Sequence, residues 1–248
     1  LAGAGCAPHE SADKNAKDKH LGTRYQERAW SRGPDPNAKR DLKPGPTPVR
    51  LACSGSSTRL WYPEGKGSIT EAVKKIRDQG YTSAGVAHGP FRRNKWLDAT
   101  DSEISELKAA LKQYDVTFFD MMTWDNIIHP DQSYREQGIK HVTENVEAAE
   151  RCGALSVCAG LGSRAPEQDS AYGLAMHPEN WTEETWKLGV NSVKQILKDT
   201  AGCKAALGME DVITTPLDGP MALKRLREDV GDPRCMVTLD PANMFTVG

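Results

Sequence analysis

From residue 49 to residue 240 the sequence keeps changing period. A short run of strand-forming apolar residues gives way to a longer stretch with apolar residues at helical spacing, and the pattern then restarts. The strand-like runs fall near residues 50, 84, 117, 155, 205 and 236. Between them lie helical patterns: Ala72, Val73 and Ile76; Ile104, Leu107 and Leu111; Ile139, Val142, Val146 and Ala149; Trp186, Val190, Val193 and Leu197; and Pro220 to Val230. Ser68, Ser102 and Thr182 are read as N-caps, and Gly80 as a residue just past a helix end. Strict alternation of this kind implies a parallel sheet with right-handed crossovers, hence an α/β domain. The longest repeat lies between the fourth and fifth runs, which makes that loop the expected specificity insert.

Two of the runs end on acids. Lys204 to Met209 stops at Glu210. Met236 to Leu239 stops at Asp240, followed by Pro241, and proline cannot extend a ladder. Parallel α/β sheets keep their chemistry at the carboxyl ends of strands, so both acids are expected at one mouth. Buried carboxylates need partners, and divalent metals or cationic substrate groups are the usual ones. Both acids are equally readable as structural caps or ion-pair members. Their spacing matches the roughly 30 residues per unit of a (β/α)8 barrel. Six strands also suffice for an open doubly wound sheet, but the helix patterns fit a sequentially wound barrel at least as well. A closed barrel needs two more units, and open edges are avoided in folded proteins. The expectation is therefore a barrel lacking its last two βα units, in a chain incomplete at its C-terminus.

A net charge of −2 and a pI near 6.3 give no electrostatic case for nucleic acid. No apolar run approaches the roughly 20 residues of a membrane span. The six cysteines form no CxxC pair, and buried free thiols are the better reading than a disulfide framework or zinc site. The opening Leu-Ala-Gly-Ala-Gly-Cys6 resembles the end of an export signal with a lipid-modified cysteine, against the alternative of a trimmed fragment from the cytoplasm. Export to the periplasm or a lipid anchor is the expectation. Residues 7 to 48 are polar, charged and proline-rich without apolar periodicity, so residues 1–47 read as an arm or tether and 48–248 as the folded domain. A homo-oligomer is compatible with the sequence, which does not specify one.

Further elements sharpen the picture. They are Glu210-Asp211 with a loop to Pro216, Leu239-Asp-Pro-Ala-Asn-Met-Phe245, Trp124-Asp-Asn-Ile-Ile-His-Pro-Asp131, the helix end Ala149 to Ala154, and His177-Pro-Glu-Asn180. Together they resemble the sugar-phosphate isomerase/epimerase group of the xylose isomerase-like TIM-barrel superfamily, over roughly residues 49 to 248. The resemblance implies one divalent metal ion (manganese, magnesium or zinc) held by a Glu, an Asp, a His and a second Glu. Glu210 matches the first ligand and Asp240 the second. The other two would come from strands seven and eight, which have no counterpart here. It also implies that Glu210 acts as a base, removing a proton next to a sugar carbonyl to give an enediolate.

For the remaining residues the alternatives stay open. Asn243 either binds substrate or fixes the turn after Pro241. His88 ends the second strand, where it can meet a sugar hydroxyl or simply bond its own loop. Trp124 offers a flat apolar face to a sugar ring, or packs as a lid, while His129 lies in the loop after it. His177 lies in the long insert and is read as reaching the pocket or lying on the surface. His9, His20 and His141 carry no argument for a role. Ala159-Gly-Leu-Gly-Ser163 lacks the lysine of a phosphate loop, so its glycines are read as turn formers.

The first functional expectation is a metal-dependent sugar isomerase or epimerase acting on a small sugar or glycoside. The alternatives are a lyase of keto-glycosides on the same barrel and, from another class, an exported sugar-binding protein without catalysis. The related abasic-site endonucleases need more placed histidines and a basic groove than this sequence offers.

Overall fold

The computed structural model describes residues 52–53, 68–87, 95–166 and 173–244. The proposed arm, Cys6 and His88 lie outside the described residues. The elements run β1 Ala52–Cys53, α1 Ile69–Asp78, β2 Ser83–Ala87, α2 Asp101–Gln113, β3 Thr117–Met122, α3 Gln132–Cys152, β4 Ser156–Ala159, α4 Glu183–Asp199, β5 Ala206–Glu210, α5 Pro220–Val230 and β6 Cys235–Thr238. Short 3-10 turns cover Lys95–Leu97, Pro178–Trp181 and Pro241–Met244.

All neighbouring strands pair in parallel, and their order in the sheet is their order in the chain, β1 to β6. A doubly wound sheet reverses direction at a switch point. This sheet never reverses, so the winding is that of a barrel.

The helices cover one face of the sheet. In β4 and β5, Val157, Ala159, Leu207 and Met209 are at most 1% exposed. They meet Val142, Val146 and Ala149 of α3 and Val193, Ile196 and Leu197 of α4 in one core. Each fully buried Val, Leu, Ile or Met among them contributes about 1.5–3 kcal/mol of hydrophobic stabilisation. Side chains alternate along a strand, so Cys158, Gly208 and Glu210 are turned to the opposite, inner face.

Local signals set the helix starts. Ser68 accepts the Glu71 amide, and Thr182 accepts the Thr185 amide. Asp131 accepts the amides of Ser133 and Tyr134, starting α3 two residues before the expected Tyr134. For α2 the expectation of Ser102 as cap is corrected. Thr100 is the N-cap, and its hydroxyl accepts the Glu103 amide while the Glu103 carboxylate accepts the Thr100 amide. That reciprocal pair satisfies two helix-end donors at once, which Ser102 inside the first turn does not do.

β3 carries a bulge. Ala84 opposes Phe118, but Gly85 opposes Asp120, which leaves Phe119 as the extra residue. A Cβ on Gly85 would stand 2.0 Å from Asp120 Oδ1, so the glycine makes room for that carboxyl. Burial pushes the Asp120 carboxyl up to about 6 from 3.8. In the Ala159–Ser163 stretch, Gly162 has a φ of 95°, in keeping with a turn-forming glycine.

Candidate active site at the ends of β5 and β6

Glu210 is the last residue of β5 and is 7% exposed. The Cys158 thiol donates to its Oε2 at 3.1 Å, and the Asn243 amide donates to its Oε1 at 3.2 Å. Burial pushes the Glu210 carboxyl above its usual range, and the negative charges of Asp240 and Asp211 push the same way, while the two hydrogen bonds oppose them. Cys158 is 2% exposed. Burial, followed by the charge of Glu210, lifts its thiol well above the ordinary value, so it keeps its proton and serves as a donor. The Thr238 side chain opposes that shift and pulls the thiol back down. Gly208 is on the intervening strand, and a Cβ there would come within 2.6 Å of Thr238 Oγ1. The bare glycine lets side chains of β4 and β6 meet across β5.

Asp240 lies two residues beyond β6 rather than on its last residue, because the ladder ends at Thr238. Its amide donates to Asp211 Oδ1 at 2.8 Å, and its own Oδ1 accepts the Ala242 amide at 2.9 Å. Asn243 donates to the Asp211 carbonyl at 3.0 Å, and its own amide bonds the Asp240 carbonyl at 3.2 Å. Asn243 therefore both fixes the turn after Pro241 and touches Glu210.

The other expected site residues are placed less centrally. Trp124 follows β3 closely, and its indole covers Gly160, where a Cβ would come within 2.5 Å of the ring. His129 is 8% exposed, accepts the Asp131 amide at 3.0 Å and sits 5.0 Å from the Tyr134 ring. Those contacts bind it to the start of α3. His177 caps the Pro178–Trp181 turn by accepting the Glu179 amide.

Sequence reasoning passed over two residues. His141 Nδ1 lies 2.9 Å from both Asp125 carboxylate oxygens, and Asp125 also accepts the Thr123 hydroxyl at 2.5 Å. Asn180 is 1% exposed. It donates to the carbonyls of Ala175 and Thr214 and accepts the Arg164 amide, tying the segments after β4 and β5 together.

Among the described residues no group of three or more His, Cys, Asp or Glu side chains is arranged to hold a metal ion. Glu210 and Asp240 offer only carboxylate oxygens, the donors that hard divalent cations take. Their mutual repulsion and the enclosed, unpartnered Asp211 Oδ2 leave excess negative charge at this spot. The pair fits as part of a ligand set.

The chain belongs to the xylose isomerase-like TIM-barrel family, whose pattern matches residues 73–248. Among solved structures it is similar to 3-keto-D-glucoside 4-epimerase from E. coli, at 14% identity and TM-score 0.61, over 80% of this chain and 71% of that one. It is also similar to D-psicose 3-epimerase from Clostridium cellulolyticum H10, at 17% identity and TM-score 0.60, over 79% and 65%. A xylose isomerase-like TIM-barrel protein from Mycobacterium smegmatis in complex with magnesium matches at 16% identity and TM-score 0.52, over 77% and 64%. The chain thus spans less than two thirds of the last two structures. At these identities the likeness is one of fold. No curated protein sequence matches the chain.

Proposed function

We propose that this chain carries the Glu210 and Asp240 side of a metal-dependent sugar isomerase or epimerase site. The observation that carries the reading is a buried glutamate at the end of β5, held by two donors and set against a second carboxylate at the end of β6. A divalent ion of manganese, magnesium or zinc, held in part by Glu210 and Asp240, would supply Lewis-acid polarisation of a substrate carbonyl. Glu210 takes the proton from the neighbouring carbon. Its raised pKa makes it a stronger base than a solvated carboxylate and brings it nearer to operating pH. Cys158 and Asn243 hold one carboxylate oxygen each, so the base does not rotate between turnovers. In this reading Asn243 meets a substrate hydroxyl and Trp124 faces the sugar ring. His88, His129 and His177 stand as weaker substrate contacts.

The substrate class is a small sugar or glycoside with a carbonyl. It is supported by the epimerases that share this fold, one of which is named for a keto-glucoside. With such a substrate the same base also suits β-elimination, so product analysis separates epimerase from lyase.

The test is proton exchange at the carbon beside the carbonyl of D-psicose, D-tagatose and a 3-keto-glucoside, followed in D2O with added Mn2+. Glu210→Gln is expected to lower exchange by about 100-fold or more. Asp240→Asn is expected to weaken Mn2+ binding measured by calorimetry. Sugar binding without Mn2+ and unchanged in Glu210→Gln would replace this reading with a non-catalytic sugar-binding protein.

A further inference from the structure

Asp211 follows Glu210 directly, and its side chain is 0% exposed. Oδ1 accepts the Asp240 amide at 2.8 Å. Oδ2 is enclosed and has no hydrogen-bond partner among the described residues. The Asp211 carbonyl accepts the Asn243 side chain, the same amide group that reaches Glu210 Oε1. Three hydrogen bonds thus join the end of β5 to the segment after β6, and Asp211 supplies the acceptor in two of them.

A carboxylate oxygen enclosed without a donor is destabilising, and this one stands beside two more carboxyls. If the only task were to accept the Asp240 amide, a neutral asparagine would do it without the buried charge. The charge itself therefore needs a reason. The charges of Asp240 and Asp211 both push the Glu210 carboxyl up. A third negative charge makes that surrounding worse for the bare protein and better for a bound cation. Asp240 also needs an anchor. It lies beyond the last β6 ladder residue, and its neighbour Leu239 is 50% exposed, so packing does not fix it.

We propose that Asp211 is a positioning residue for divalent-cation binding: it ties Asp240 to the end of β5 and adds negative charge behind the Glu210 and Asp240 carboxylates without touching the ion. This deepens, and rests on, the metal-site reading given above. Partners behind metal ligands commonly change affinity by about 10–100-fold when replaced.

The experiment uses the whole chain, its Asp211→Asn and Asp211→Ala variants, and two readouts. One is amide hydrogen exchange at Asp240; the other is Mn2+ affinity by calorimetry. Asp211→Asn keeps the acceptor and loses the charge. Its Asp240 amide should exchange at close to the parent rate, while Mn2+ binds about tenfold more weakly. Asp211→Ala loses both, so the Asp240 amide should exchange at least about tenfold faster and Mn2+ binding should fall further. Parent-like exchange at Asp240 in Asp211→Ala overturns the anchoring. Parent-like Mn2+ affinity in Asp211→Asn overturns the role of the charge. If the parent binds no Mn2+, the metal-site reading fails and the charge role fails with it, while the exchange readout still decides the anchoring. If Asp211→Ala does not fold, Asp211→Asn decides alone: parent-like exchange with weakened Mn2+ supports the proposal, and any other pairing overturns it.

Discussion

The outer faces of β5 and β6 begin alike and then diverge. On β5, Leu207 is 0% exposed and Met209 is 1% exposed. On β6, Cys235 is 1% exposed, yet Val237 and Leu239, at alternate positions on the same face, are 42% and 50% exposed. The composition of the two strands does not explain this, since both are short apolar runs. The neighbours do. β5 has a strand on each side, whereas among the described residues β6 pairs only with β5, and α5 is the helix packed on it. The two candidate ligands inherit these surroundings. Glu210 is held by a packed strand, and Asp240 by hydrogen bonds reaching back to that strand. One site is built by two kinds of restraint.

Substitution of matched residues is the strongest way to break this comparison. Met209→Ala is expected to cost about 2–5 kcal/mol, as for other fully buried large apolar side chains. Val237→Ala, its register partner, is expected to cost less than about 1 kcal/mol, because that side chain already meets solvent. Urea unfolding of both variants measures the contrast. Equal losses would mean that β6 is covered in solution.

A smaller effect sharpens the contrast between the two faces of β3. Met121 lies in the core, while Asp120 faces away from it with its carboxyl raised from 3.8 to about 6 by burial. The folded state thus holds the Asp120 proton more tightly than the unfolded chain. That favourable contribution is complete below pH 3.8 and is lost as pH rises through about 6. Asp120→Asn should therefore gain stability on the parent as pH rises across this window. The gain is at most about 3 kcal/mol, reduced by solvent at the partly exposed side. Stability curves at pH 4 and pH 8 read it, and a gain of equal size at both would remove burial of the charge as its cause.

The smallest effect concerns the helical layer. Thr100→Ala should cost about 1 kcal/mol and Ser102→Ala less than about 0.5 kcal/mol. Thermal unfolding distinguishes the two, and the reverse order would restore Ser102 as the cap.

That last pair also shows how far the sequence could be read. Strands and helices were legible because period and caps are local, and the Thr100 cap was legible too, since Glu103 stands three residues on. Ser102 drew the reading because it is also a good cap residue and lies nearer the first apolar position. Glu210 was legible as a strand end, and Asp240 only roughly so, since it stands two residues past the ladder. What holds them was not. Cys158 lies 52 residues from Glu210, and His141 lies 16 from Asp125, so no spacing rule joins either pair. Asp211 carries no signal of its own in the sequence, because two adjacent acids look alike until burial separates them. The exposed side of β6 was hidden for a related reason: an apolar run does not state which of its faces will be covered.

Asn180 has a practical consequence. Its side chain joins Ala175, Arg164 and Thr214, so segments from two different βα connections share one fastening. Loop grafting between barrels usually treats each connection as a separate cassette. Here the cassette is larger: a transplanted segment after β4 must bring its asparagine, and the recipient's segment after β5 must present a carbonyl where Thr214 does.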